Sequence, residues 1–187
     1  MLASVTDRDT AAGSAGPTRR RLLQAGLGIV ALIVAGGGGL VALRGRPPRV
    51  QGLRVLDDQK FRTLSAVARV HLPSGGPFQQ GADEVGAARA FDRYLVDEPP
   101  EVVRDVKRAL TLLEYGPLLF EGRLATFSNL PPAEQRVHWK RWIDSDSELR
   151  RQISWSLKKF LSLVFYDTPA VWPAIHYPGP SFKRMAP

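Results

Sequence analysis

FSNLPPAEQRVHWKRWIDSDSELRRQISWSLKKFLSLVFYD (residues 127–167) is the stretch that decides the fold class. Pro131 and Pro132 begin a helical pattern, because proline is favoured in the first turn of a helix. Ser145 and Asp146 interrupt that pattern, and Asp146 can cap a second helix. Apolar residues recur at intervals of three and four, which predicts two amphipathic helices, the second with a broad apolar face. Those residues are Val137, Trp139, Trp142 and Ile143, then Leu149, Ile153, Leu157, Phe160, Leu161 and Val164.

Three further helices are predicted upstream of this stretch. Asp57 or Asp58 is a candidate N-cap for a helix that reaches Leu72. A second helix is predicted over 82–96, and a third runs from Pro100 or Glu101 to about Tyr115, where Gly116-Pro117 ends it. No alternating β pattern of useful length occurs. Residues 57–167 are therefore predicted to form a small all-α domain of about five helices.

The C-terminal residues 168–187 have a different composition. They contain five prolines, which exclude a regular α-helix, and an extended segment is predicted. Trp172 and Tyr177 indicate that this segment packs on a surface, either that of its own domain or that of a partner.

The N-terminal residues 1–43 resemble a targeting segment more than part of the domain. Residues 1–17 are small and polar, which predicts a disordered lead-in. Leu22 to Leu43 are 22 uncharged residues, about 33 Å as a helix and enough to cross a bilayer, although glycines at Gly36 to Gly39 lower the helix propensity. Residues 44–56, with Pro47-Pro48, form a linker.

The residues that precede the apolar stretch resemble the twin-arginine (Tat) export signal. That signal has two adjacent arginines, one free position and two apolar residues, matched here by Arg19, Arg20, Leu22 and Leu23. The resemblance implies recognition by the Tat translocase and a location on the periplasmic side of the bacterial cytoplasmic membrane. No clean Ala-x-Ala cleavage site follows, so both removal of the signal and its retention as a membrane anchor stay open.

Composition excludes several classes of site. The chain has no cysteine, which rules out disulfides, thiolate nucleophiles, iron–sulfur clusters and Cys-ligated zinc. The net charge is +8, and residues 44–187 carry 22 basic and 16 acidic residues, a net +6. Because these charges are interleaved along predicted helices, they indicate solvated helix faces, and nucleic-acid binding is not expected.

No catalytic, cofactor-binding or metal-binding residues are predicted in this chain. His71, His138 and His176 each lack a second ligand at metal-site spacing, and His138 is predicted to lie partly exposed on a polar face. Trp139, Trp142 and Trp155 are assigned to the core or an interface.

Two stretches of the sequence carry motifs that occur together in one protein family. One stretch runs from Phe127, Leu130 and Glu134 to Trp142 and Ser145. The other is the more specific ending, Trp-x-x-Ile-x-Tyr-Pro-Gly-Pro, which comprises Trp172, Ile175, Tyr177, Pro178, Gly179 and Pro180. Together they resemble the gluconate 2-dehydrogenase subunit 3 family of small dehydrogenase subunits, and the resemblance covers roughly residues 55–180.

This resemblance implies a non-catalytic accessory subunit of a membrane-associated sugar, gluconate or polyol dehydrogenase. FAD would reside in a large subunit that lacks its own export signal, and haem in a multihaem cytochrome c subunit. The six residues of the specific ending would dock on the large subunit without a covalent tether, since the chain has no cysteine. Two alternatives stay open: a basic membrane-attached protein of the cell envelope that binds lipid or nucleic acid, and a stand-alone envelope enzyme.

Overall fold

The computed structural model describes residues 48–76 and 78–180, and over this part of the chain the fold is all-α, as predicted. No strand occurs in the described ranges. The α-helices are α1 (Asp58–His71), α2 (Ala87–Tyr94), α3 (Pro100–Glu114), α4 (Gly116–Glu121), α5 (Pro132–Ile143) and α6 (Glu148–Tyr166), and the 3-10 helices are η1 (Phe127–Asn129) and η2 (Pro169–Ile175).

Several helix starts follow from the residues that the sequence places there. The side chain of Asp57 caps α1 by accepting a hydrogen bond from the backbone N–H of Lys60 at 2.8 Å. Pro100 begins α3 and Pro132 begins α5, where the missing N–H of proline costs nothing. These predictions are confirmed.

Three helix boundaries differ from the prediction. The helix expected over 82–96 is restricted to α2, because residues 82–86 form turns that end at Gly86 with a φ of 66°. Gly116-Pro117 ends α3 as predicted but also begins the short helix α4, since proline fits a first helical turn. The residue that precedes α6 is Ser147, so Asp146 lies one residue outside the predicted cap position.

The C-terminal segment is not fully extended, which corrects the prediction for residues 169–175. They form η2, a 3-10 helix that begins at Pro169. Proline fixes φ near −65°, a value that suits a 3-10 helix as well as an extended chain. His176 ends η2 in the left-handed region with a φ of 53°, and residues 177–180 follow without regular structure.

The core lies around α1, which packs against α2, α3 and α5, while α6 packs against α2 and α5. Trp142 of α5 and Phe91 of α2 are fully buried at the centre of this arrangement. The assignment of Trp139 and Trp142 to the core is confirmed, with exposures of 3% and 0%. Among the described helices, none combines the length and the apolar composition that spanning a membrane requires.

Candidate functional site

The C-terminal segment, residues 168–180, folds around the indole ring of Trp172. The indole Nε1–H donates a hydrogen bond to the carbonyl oxygen of Tyr166 at 2.9 Å, which fixes the segment to the end of α6. The ring of Tyr177 packs edge-on against Trp172 with centroids 5.3 Å apart, and its N–H bonds to the Trp172 carbonyl at 3.0 Å. Val171 is buried with 2% exposure. The segment is therefore held on its own domain.

Gly179 completes this fold because its backbone lies directly against the Trp172 ring. A Cβ atom at this position would lie 2.9 Å from Cζ3 of Trp172, and the φ of 96° is unfavourable for other residues. The structure brings together Trp172, Tyr177 and Gly179, three of the six predicted partner-binding residues.

The remaining three predicted docking residues, Ile175, Pro178 and Pro180, face solvent, as does part of Tyr177. Ile175 is 42% exposed and Tyr177 presents 44% of its surface, while Pro178 and Pro180 are exposed as well. One face of the segment therefore packs against its own domain. The other face carries exposed apolar and aromatic groups that can contact another molecule. The predicted export residues Arg19, Arg20, Leu22 and Leu23 lie outside the described residues.

His138 is buried, which corrects the prediction of a partly exposed side chain. It is 1% exposed, because α4 covers the side of α5 that carries it. Its Nδ1–H donates to Oε1 of Glu121 at 2.7 Å, and Nη1 of Arg141 reaches the same oxygen at 3.0 Å. Nε2 of His138 points towards Gly116 and has no hydrogen-bond partner among the described residues.

Burial lowers the pKa of His138, and the hydrogen bond to Glu121 opposes this shift only in part. Burial pulls the pKa of Glu121 upward, but the hydrogen bonds and charges of His138 and Arg141 outweigh it, so the Glu121 pKa falls below its ordinary value. His138 is therefore neutral near pH 7, and Arg141 supplies the positive charge that Glu121 requires. With its free nitrogen enclosed by the core, this arrangement stabilises the contact between α4 and α5.

Glu114 is a second buried polar group, with 1% exposure, at the end of α3. Its carboxylate accepts hydrogen bonds from Thr63 at 2.8 Å, from Gln59 at 2.8 Å, and from the hydroxyl of Ser128 at 2.7 Å. These donors come from α1 and η1, so the carboxylate connects three elements. It also lines an open depression of about 230 Å³ beside the start of α1.

Asp92 of α2 holds the chain that leads into the domain. It is 1% exposed and accepts backbone hydrogen bonds from Arg54, Val55 and Leu56, at 2.6, 3.1 and 2.8 Å. Three donors satisfy this buried carboxylate, which explains why it needs no cationic partner. The sequence analysis missed this contact because its residues are 36 to 38 positions apart.

The outer face of α6 was also missed by the sequence analysis. Trp155, assigned there to the core or an interface, is 68% exposed. Leu163 and Tyr166 lie on the same side and are 51% and 41% exposed. The sequence does contain a sign of this second face. The broad apolar face of α6 packs inward, whereas Trp155, Leu163 and Tyr166 lie on the opposite side of the helix at helical spacing.

In the described ranges, no group of three or more His, Asp or Glu side chains is placed to hold a metal ion. Comparison with known proteins identifies no relative: no family model, no curated protein and no solved structure matches this chain.

Proposed function

We propose that this chain is the non-catalytic small subunit of a membrane-associated flavin-dependent dehydrogenase that acts on gluconate, another sugar or a polyol. In this proposal it supports the folding and Tat export of the FAD-bearing large subunit and docks on it at the periplasmic side of the membrane. The identity of the complex rests on the resemblance to the gluconate 2-dehydrogenase subunit 3 family. The chain itself holds no cofactor in this proposal, since FAD belongs to the large subunit and haem to a cytochrome c subunit.

The observation that carries the docking proposal is the construction of the C-terminal segment. Trp172 is fixed by its hydrogen bond to Tyr166 and by contact with Gly179, while Ile175 and Tyr177 stay exposed beside it. Exposed aromatic and aliphatic side chains on a preorganised segment lose little conformational entropy on binding, and tyrosine is enriched at interface hot spots. The same residues form the specific ending on which the resemblance depends.

The test is affinity purification of the tagged full chain from its native membranes, followed by an absorbance spectrum of the eluate. We expect a larger polypeptide to copurify and the spectrum to show the bands of oxidised flavin. A colourless eluate that contains this chain alone would overturn the proposal.

A matched pair of variants assigns the contact to the C-terminal segment. Tyr177→Ser combined with Ile175→Ser removes two exposed side chains, and we expect the flavin-bearing polypeptide to be lost from the eluate. Leu124→Ser is the control, because Leu124 is 79% exposed in the loop after α4. Copurification at the level of the unmodified chain in both variants would place the docking surface elsewhere.

A further inference from the structure

The outer face of α6 carries three exposed side chains, Trp155, Leu163 and Tyr166. Tyr166 also packs edge-on against Phe78, with ring centroids 5.8 Å apart, so it is only partly available, and Trp155 and Leu163 are the main exposed groups. At 100° per residue, Trp155, Leu163 and Tyr166 fall within an arc of about 80°. The buried residues Leu157 and Leu161 lie on the opposite side of the helix. The three exposed residues extend over about 16 Å of helix. Single exposed apolar residues are common on protein surfaces. A patch of several such residues that includes a tryptophan 68% exposed is typical of a contact surface.

Basic side chains flank this patch. Arg151 lies one turn before Trp155 and Lys159 one turn after it, both exposed, and Lys158 is half-buried beside them. The acidic group on the same side is Glu148, about 10 Å along the axis from Trp155, and it accepts a hydrogen bond from Gln152 at 2.8 Å. Around Trp155 itself the local charge is therefore positive.

The combination of tryptophan with lysine distinguishes between a protein partner and a lipid bilayer as the occupant of this face. Interfaces between proteins are depleted in lysine, because its strongly hydrated ammonium group is costly to bury. At the surface of an anionic bilayer the same residue is favourable, since each lysine or arginine adds attraction to the headgroups and a long side chain reaches into water. Tryptophan and tyrosine are enriched at the boundary between headgroups and acyl chains. The sequence also places an apolar stretch of 22 residues ahead of the domain, which would hold it near a membrane.

We propose that the outer face of α6 lies on an anionic phospholipid bilayer, with Trp155 and Leu163 in the boundary region and Lys159 among the headgroups. This contact is separate from docking of the C-terminal segment on a large subunit, and neither requires the other. It would orient the domain with α6 parallel to the membrane plane, in the manner of an interfacial helix.

The experiment uses the full chain reconstituted into vesicles and measures tryptophan fluorescence. The four tryptophans are Trp139, Trp142, Trp155 and Trp172, so the difference between the unmodified chain and Trp155→Phe isolates the emission of Trp155. Vesicles are prepared with phosphatidylglycerol that is brominated in its acyl chains, or with brominated phosphatidylcholine alone. We expect the brominated phosphatidylglycerol to quench Trp155, and 0.5 M salt to reduce that quenching because salt screens the charge contacts.

Two variants test the role of charge. Lys159→Glu should lower the ratio of docked to undocked protein by at least about fivefold, given the attraction per surface lysine. Arg104→Glu, an exposed position on α3, makes the same change in net charge and should leave the quenching unchanged. If acrylamide in the aqueous phase quenches Trp155 while brominated lipid does not, the face points to water and the proposal is wrong. If neither agent reaches Trp155, another copy of this chain covers the face, and the proposal is equally wrong.

Discussion

At the scale of single residues, Gly116 is the position where one added methyl group has the clearest consequence. A Cβ atom there would lie 2.6 Å from Nε2 of His138 and 3.2 Å from Cζ2 of Trp142. The imidazole cannot retreat, because it is buried and bonded to Glu121. We expect Gly116→Ala to lower the free energy of unfolding by about 1–3 kcal/mol, as overpacked cores do. Urea denaturation measures this change.

The matched control for that substitution is Gly76→Ala, where an added Cβ meets nothing within 4 Å. Its free energy of unfolding should stay within about 0.5 kcal/mol of the unmodified chain, as is usual for surface changes. Equal stability of the two variants would show that α4 can shift away from α5 at no cost, contrary to the packing described here.

His138 predicts a pH dependence of stability. Its pKa in the folded chain is lowered by burial, so the unfolded chain binds a proton first as the pH falls below about 6.5. The stability that the neutral imidazole contributes is therefore present above that pH and is lost below it. We expect the free energy of unfolding to rise between about pH 5.5 and pH 7.5, with a slope of at most about 1.4 kcal/mol per pH unit from this residue.

The substitution His138→Gln should reduce that slope, whatever its effect on stability at pH 7.5. His71 is the comparison, since burial and the nearby charge of Lys158 also lower its pKa, although its side chain is more exposed. His71→Gln should therefore remove a smaller part of the slope. Chemical denaturation at several pH values gives both slopes, and an unchanged slope in His138→Gln would contradict the assignment of a neutral buried imidazole.

At the scale of secondary-structure elements, Asp92 of α2 binds the segment before α1 through hydrogen bonds to its backbone. Asp92→Asn keeps the shape but places an amide donor among three backbone N–H groups. Hydrogen bonds to a charged acceptor are stronger than neutral ones, so we expect the free energy of unfolding to fall by about 2–4 kcal/mol. The amides of Arg54 to Leu56 should also exchange with solvent much faster.

Hydrogen-exchange mass spectrometry measures this local effect, and Asp105→Asn is the control because its side chain is 74% exposed on α3. The decisive comparison is between residues 54–56 and the core helices. In Asp92→Asn, the amides of residues 54–56 should lose their protection from exchange, while those of the core helices should keep it. Uniform loss of protection over the whole domain would mean that Asp92 stabilises the fold in general and has no specific role in fastening this segment.

The helices themselves were largely predictable, because their signals are local. Prolines at Pro100 and Pro132 and the cap at Asp57 mark helix starts without reference to the rest of the chain. The short helix α4 was not predicted, since Gly116-Pro117 is as typical of an ending as of a beginning. The 3-10 helix η2 was missed because proline is compatible with both 3-10 and extended backbone.

The buried polar groups were harder to predict than the helices. His138 was expected on a polar face, and the element that covers it, α4, was absent from the prediction. Glu114 and Asp92 depend on partners that lie 14 to 55 and 36 to 38 residues away, contacts that periodicity cannot show. In the C-terminal segment, the sequence predicted Trp172 and Gly179 as docking residues, which stays a prediction, whereas the contact between the two residues was found only in the structure.

At the scale of the whole molecule, the two proposed contact surfaces, the outer face of α6 and the C-terminal segment, are consecutive in the described part of the chain. The carbonyl of Tyr166, at the end of α6, accepts the hydrogen bond of Trp172, so the face of α6 that we propose to contact lipid is adjacent to the C-terminal segment. Buried carboxylates connect the other elements, Glu114 between α1, α3 and η1, and Asp92 between α2 and the entering chain. Under the two proposals, one domain would present the outer face of α6 to a membrane and the C-terminal segment to a partner.

The last prediction concerns the destination of the whole chain. Arg19→Lys combined with Arg20→Lys preserves the positive charge ahead of the apolar stretch but removes the guanidinium groups. Because guanidinium presents a planar set of donors that ammonium cannot reproduce, we expect recognition by the translocase to fail and the chain to stay in the cytoplasm. Fractionation of cells into periplasm, membrane and cytoplasm, with immunodetection of the chain, measures this outcome. Arg44→Lys with Arg46→Lys, on the far side of the apolar stretch, should be exported normally. If both double variants are exported equally, charge alone directs the segment, and the twin-arginine interpretation, together with export of a folded partner, is wrong.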